Sequence, residues 1–211
     1  MLRFSGLVIT IALIIYIVFF LCRWLKRRET IKTMFFKTCF YVYTCGVIKF
    51  TMFPIMLDSF LIEDTKKYAT GSYMNLIPFN SISEMFMEGR EYASFQIVAN
   101  FIMFIPLGIL LPLCYPKLTW KSVFAISFIA TVGIEFAQLL QDLIYQAPFK
   151  FVDIDDVILN FSGGIFGYIV YVIIRPLLRK MNLCPIVEKN SWNILLAVFL
   201  IYLLKVIRFF D

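Results

Sequence analysis

The sequence predicts an all-α protein, a polytopic transmembrane helical bundle of about six spans with an outward-facing polar pocket. Two observations predict the bundle and a third orients it. Of 211 residues, 61% are hydrophobic and 16% charged, and the mean hydropathy is +0.85, a balance from which no water-facing surface can be built. The apolar residues fall into runs of spanning length, since a helix rising 1.5 Å per residue crosses a core of about 30 Å in roughly 20 residues. Lysine and arginine gather in every second connection, the pattern of a multi-pass cell-membrane protein.

The first run, residues 4–22, is uncharged, follows a single Arg3 and has no small-residue cleavage motif after it. It reads as a retained helix. Further spans are expected over residues 38–57, 95–114, 122–141, 156–174 and 192–207. Arg23, Lys26, Arg27, Arg28 and Lys32 follow the first, Lys117 and Lys121 the third, and Arg175, Arg179, Lys180 and Lys189 the fifth, which places those connections in the cytoplasm. The alternate connections carry Asp58, Glu63, Asp64, Glu84, Glu88 and Glu91, then Asp142, Asp153 and Asp155. They are expected outside, with both termini. Residues 1–74 then hold two spans and the start of an outer loop, 75–174 a core of that loop and three spans, and 175–211 a cytoplasmic loop and the last span.

The outer connection, residues 58–94, contains Asn75-Leu76-Ile77-Pro78-Phe79, apolar enough to dip into the interface. Ser81 with Glu84 forms a capping-box pattern that starts an amphipathic helix through Arg90, with Ile82, Met85 and Phe86 toward lipid. A plain surface loop fits the same pattern.

Several function classes drop out. The formal charge of +6 comes from residues beside apolar runs rather than from a continuous basic stripe, so the lipid bilayer, and no nucleic acid, is the expected partner. Cys22, Cys39, Cys45, Cys114 and Cys184 are scattered without a CxxC, and there is no histidine. Neither a disulfide framework nor a thiolate zinc site is expected, and ionic chemistry rests on carboxylates, amides, hydroxyls, lysine and arginine.

The informative residues are polar ones inside apolar runs. Glu135 sits in Thr131-Val132-Gly133-Ile134-Glu135-Phe136-Ala137-Gln138, where an ionised carboxylate costs roughly 2.5 kcal/mol or more unless paired, hydrated or protonated. Gln138 and Asp142 share its helical face. In the next span Asp153, Asp156 and Asn160 stand at i, i+3 and i+7. Carboxylates in a first turn also suit a plain helix start, but Asn160 lies deeper. Gly163, Gly164 and Gly167 contain a GxxxG step, and Gly133 with Ala137 offers a small-residue match. The fourth and fifth spans are therefore expected to pack together and gather these polar groups, with Asn100 at similar depth.

Lys49 stands nine residues before Asp58 and Glu135 seven before Asp142, comparable depths of about 13 Å and 10 Å. An ion pair between them and a Lys49 that snorkels to headgroups are both open.

Four blocks in order, Asn75-Leu76-Ile77-Pro78-Phe79, Asn100 to Gly108 (Asn-Phe-Ile-Met-Phe-Ile-Pro-Leu-Gly), Glu135-Phe136-Ala137-Gln138, and Asp153 to Asn160 (Asp-Ile-Asp-Asp-Val-Ile-Leu-Asn) with Gly163-Gly164, resemble the VanZ-like family. The resemblance covers about half the chain and implies Asn75, Asn100, Glu135, Gln138, Asp153, Asp156 and Asn160 as characteristic polar residues. It implies Pro78, Pro106, Gly108, Gly164 and Gly167 as backbone determinants. Many relatives carry arginine where this chain has Lys150, so a bidentate anion contact is not expected there.

The family is named for a small membrane protein associated with lowered susceptibility to teicoplanin, a lipid-tailed glycopeptide. The resemblance thus implies a glycopeptide-resistance or envelope role through an acidic pocket. A cationic or metal-bridged glycopeptide, or a lipid-linked cell-wall precursor, would be the partner. The alternative is an intramembrane enzyme on such a precursor, with Glu135, Asp153 and Asp156 holding a divalent cation or supplying acid and base. A structural partner of another membrane protein is the third option.

Overall fold

The computed structural model describes Ile11, residues 14–18, Cys22, residues 31–69, 71–87 and 93–181, and Leu183. Residues 14–18 are helical, inside the first expected span. The sixth, residues 192–207, lies outside the described residues.

Among the described residues three helices are long and apolar enough to cross a membrane. The third, fourth and fifth expected spans are these helices. α1 (Ile31–Met52), α2 (Ser59–Tyr68) and α3 (Asn80–Met87) precede them in the chain, and α4 (Ala93–Cys114), α5 (Trp120–Tyr145) and α6 (Ile154–Lys180) are the three. The second expected span is displaced. Residues 38–57 were delimited by hydrophobicity, whereas the α1 backbone runs on through Lys37 and Lys32 and stops at Met52. Pro54 explains the stop, because the residue before a proline is driven out of the helical region.

From Thr51 onward the chain is held by side chains of α5 and the loop after it. Gln138 Nε2 donates to the Thr51 carbonyl and Gln141 Nε2 to that of Met52, both at 3.1 Å. Lys150 Nζ donates to the Phe53 carbonyl at 3.1 Å, and Met56 N–H to the Tyr145 hydroxyl at 3.0 Å. The last carbonyls of a helix have no partner within it, and here borrowed amides supply one.

The tightest packing is between α4 and α6. A Cβ on Gly163 would lie 2.0 Å from the Phe101 carbonyl oxygen, one on Gly167 2.1 Å from that of Ile105, and one on Gly108 2.1 Å from that of Gly164. Each glycine therefore turns a Cα hydrogen toward a carbonyl across the interface, a contact open only to glycine. This corrects the expected pairing of the GxxxG step with Gly133. A Cβ on Gly133 meets nothing within 4 Å, so that glycine faces away. The fifth expected span still touches the fourth, through Ser127 of α5, whose Oγ lies 2.7 Å from the Cβ position of Gly164. Phe104, Leu107, Leu111 and Val123 form the buried core, flanked by Phe40, Tyr43, Ile134 and Tyr168.

Two short strands, β1 (Met74–Asn75) and β2 (Val152–Asp153), pair in parallel with Asn75 opposite Asp153. They join the segment between α2 and α3 to the start of α6.

Candidate functional site

The residues from Asp153 to Asp156 form a hub on which all four sequence blocks converge. The first block arrives through the strand pair. Asn75 Nδ2 donates to Asp153 Oδ1 at 3.3 Å and to Ser81 Oγ at 2.9 Å, while Asn75 Oδ1 accepts from Ile77 N–H at 3.1 Å. The second arrives through Asn100, whose Nδ2 donates to Asp156 Oδ1. The third arrives through Glu135, buried at 5% exposure, whose Oε2 accepts from Asp153 N–H at 3.3 Å. The fourth closes on itself, because Asp153 caps α6 by accepting from Asp155 N–H at 3.0 Å.

Of the expected site residues, Asn75 and Glu135 bond to Asp153, and Asn100 bonds to Asp156 three residues further along the same turn. Gln138 is engaged elsewhere, on α1. Asn160 is buried one turn below Asp156, and its Oδ1 has no hydrogen-bond partner among the described residues. Lys49 lies with its ammonium 5.8 Å from the centre of the Phe50 ring. The hydrogen bond that Glu135 receives is a backbone one, and the charged groups acting on it are Asp156 and Asp153. Those acting on Asp156 are Asp153 and Asp155. The hub is a crowd of acidic side chains.

Two carboxylates have roles that sequence reasoning missed. Asp155, 2% exposed, accepts from Phe79 N–H and, at 3.2 Å, from Ile82 N–H. It caps α3 from another segment. The expected capping box is not formed: Ser81 is inside the helix and bonded to Asn75, and Glu84 takes the Asn80 amide at 2.9 Å. Residues 88–92, where the helix was expected to reach Arg90, lie outside the described residues. Phe79 at the cap position has no side-chain acceptor, and that was the available sign that a cap must come from elsewhere. Asp142, fully buried, accepts from the N–H groups of Phe149, Lys150 and Phe151 at 3.2, 2.9 and 3.1 Å. Burial pulls the Lys150 ammonium below its usual pKa, and the Asp142 carboxylate opposes that pull.

Phe79 and Phe151 both adopt left-handed backbone, with φ of 64° and 56°, at roughly 1–2 kcal/mol each for an L-residue. In both cases a buried aspartate holds the N–H, and such charge-assisted bonds are strong enough to offset the strain. Asp155→Asn removes one acceptor of the α3 cap. It is expected to free residues 77–87, read as faster amide exchange there with α4 to α6 unchanged, and unchanged exchange would refute the cap.

The apolar side of the connection between α2 and α4 is exposed, with Leu76, Ile77, Phe79, Phe86 and Met87 each more than 60% accessible. Ile82 is half-buried. Among the described residues no three His, Cys, Asp or Glu side chains are grouped as a metal-ligand set.

Apolar helices of spanning length around a buried network of acids and amides define an integral membrane protein. The family profile described as VanZ/LLP1 matches residues 40–175, well over half of the chain, and the protein belongs to that family. No curated protein and no solved structure matches it.

Proposed function

We propose that this protein lowers susceptibility to teicoplanin-type glycopeptides by binding the head of an amphiphilic envelope molecule at the outer membrane face, through Glu135, Asp153 and Asp156. The observation that carries the reading is the meeting of the four blocks on one acidic turn, beside an apolar shelf. Carboxylates repelling one another favour a cationic or metal-bridged head, and Asp156 and Asn100 are half-buried rather than sealed. The exposed Leu76, Ile77, Phe79 and Phe86 offer a lipid tail a surface at the same end of the bundle. The acidic connections, on the charge rule, face outward.

The test uses cells whose glycopeptide susceptibility changes when the chain is expressed. Glu135→Gln and Asp156→Asn, matched to parental abundance, are expected to return susceptibility to that of cells lacking the protein. Full protection by both variants at matched abundance refutes the reading, and protection that tracks abundance alone would make the chain a structural partner instead.

A further inference from the structure

The segment leading into α4 presents an apolar surface that no described residue covers. Leu76, Ile77, Phe79 and Phe86 are exposed, whereas the polar residues between them are turned inward or tied to one another. Ser81 is buried against the Asn75 amide, Ser83 Oγ donates to the Asn80 carbonyl at 2.9 Å, and Asn80 Nδ2 donates to Glu84 Oε1 at 2.9 Å. The backbone is closed in the same way. Ile77 N–H donates to Asn75 Oδ1, Phe79 and Ile82 N–H to the two oxygens of Asp155, Asn80 N–H to the Ile77 carbonyl and Ser83 N–H to the Phe79 carbonyl, and Pro78 has no N–H. A turn in water has no need of such partners, because solvent satisfies its donors. A segment that leaves water must satisfy them internally.

The level of the segment follows from α6. Residues 157–174 carry no charge, and Arg175 stands 20 residues after Asp155, a rise of about 30 Å, which is the thickness of the hydrocarbon core. With Arg175 at one boundary, Asp155 stands at the other, and Asp155 holds the start of α3. The lipid-facing surface continues from there. Gly163 meets Phe101 and Gly167 meets Ile105, so α4 and α6 run parallel and Phe95 is level with the first turn of α6. The exposed apolar residues Phe95, Val98 and Ile102 of α4, at i, i+3 and i+7 on one face, thus start at the same boundary and run into the hydrocarbon. α3 packs on both α4 and α6.

We infer that residues 76–86 are an interfacial anchor, seated about 5–10 Å into the outer leaflet with Leu76, Ile77, Phe79 and Phe86 among the upper acyl chains and Glu84 at the headgroups. The partner is lipid rather than a second copy or another protein. A protein surface would bring hydrogen-bond donors and acceptors of its own across the contact, whereas acyl chains bring none, and it is for acyl chains that a segment with its own backbone bonds closed is suited. The anchor fixes the turn from Asp153 to Asp156 at the boundary between lipid and water, because Asp155 ties the two together. The inference stands apart from the proposed role in glycopeptide susceptibility, since it is read from the lipid contact of the chain alone.

The full chain in vesicles of phosphatidylethanolamine and phosphatidylglycerol is photolabelled by a phospholipid with a diazirine on the upper part of its acyl chain and, separately, by a water-soluble diazirine, and the labelled residues are mapped by mass spectrometry. Residues 76–86 are expected to take the lipid label together with Phe95, Val98 and Ile102, while Glu63 and Lys67, exposed on α2, take the aqueous one. Ile77→Asp is expected to lose most of the lipid label over residues 76–86 and to gain the aqueous label there, with α4 labelled as before, because a carboxylate is costly among acyl chains. Aqueous label alone on residues 76–86 of the parental chain overturns the inference. Neither label on them overturns it as well, and means that a second copy or another protein covers the surface. Parental lipid labelling in Ile77→Asp is the third contrary result, and if that variant fails to fold the labelling of the parental chain decides.

Discussion

Gly167→Ala is expected to abolish the folded bundle. The added methyl would sit 2.1 Å from the Ile105 carbonyl oxygen, 2.9 Å from its carbon and 3.1 Å from the Ile105 Cα, all of them backbone atoms that no rotamer change can move. Relief requires α4 and α6 to separate by more than about 1 Å, which also lifts Gly163 from the Phe101 carbonyl and Gly108 from that of Gly164. The loss is on the order of 3 kcal/mol or more, at the upper end for overpacking, because three contacts fail together. Gly133→Ala is the matched control. Its methyl meets nothing within 4 Å, and alanine's greater helix propensity makes it neutral or stabilising by up to about 1 kcal/mol. The fraction of monodisperse protein after detergent extraction, with unfolding temperature, reads both variants. Equal behaviour of the two would refute glycine-mediated contact between α4 and α6.

The second large effect is expected at Asp142. Its two oxygens take three backbone N–H groups from successive residues in the turn between α5 and β2, and the residue is fully buried. Asp142→Ala leaves three donors without an acceptor, at roughly 1–3 kcal/mol each where water does not reach them. Asp142→Asn is expected to be nearly as harmful, because an amide keeps one oxygen and turns an NH2 group toward a donor. The consequence extends beyond the turn. Lys150 and Phe151 hold the approach to β2, so the pairing of Asp153 with Asn75 and the hydrogen bond to Glu135 depend on this anchor. Both variants should lower the unfolding temperature by several degrees and open residues 146–153 to proteolysis. A parental unfolding temperature in Asp142→Asn would refute the anchoring role.

Much of the candidate site was legible in the sequence because polar groups in apolar runs are expensive to bury. Glu135, Asn100, Asp153, Asp156 and Asn160 stood out on that ground, and the structure brings Glu135 to Asp153 and Asn100 to Asp156 at one turn. Asp155 did not stand out, and Asp142 did so only as a neighbour of Glu135 on its helical face, since the partners of both are backbone N–H groups outside their own helices, of which side-chain spacing carries no trace. The glycine step was visible and its partner was not. A GxxxG pattern states that something approaches closely without saying which helix.

Composition and hydrophobic runs by themselves determined the membrane setting and the α4, α5 and α6 helices. Those depend on the local transfer energy of about 20 neighbouring residues, which is written in order along the chain. Which helix faces the glycines, which carboxylate caps which segment and which oxygens remain without partners were decided only in three dimensions. The physical reason is that contacts between residues far apart in the chain, such as Asp155 with Phe79 and Gly163 with Phe101, depend on how the helices rotate about their axes. That rotation is set by the packing of all of them together.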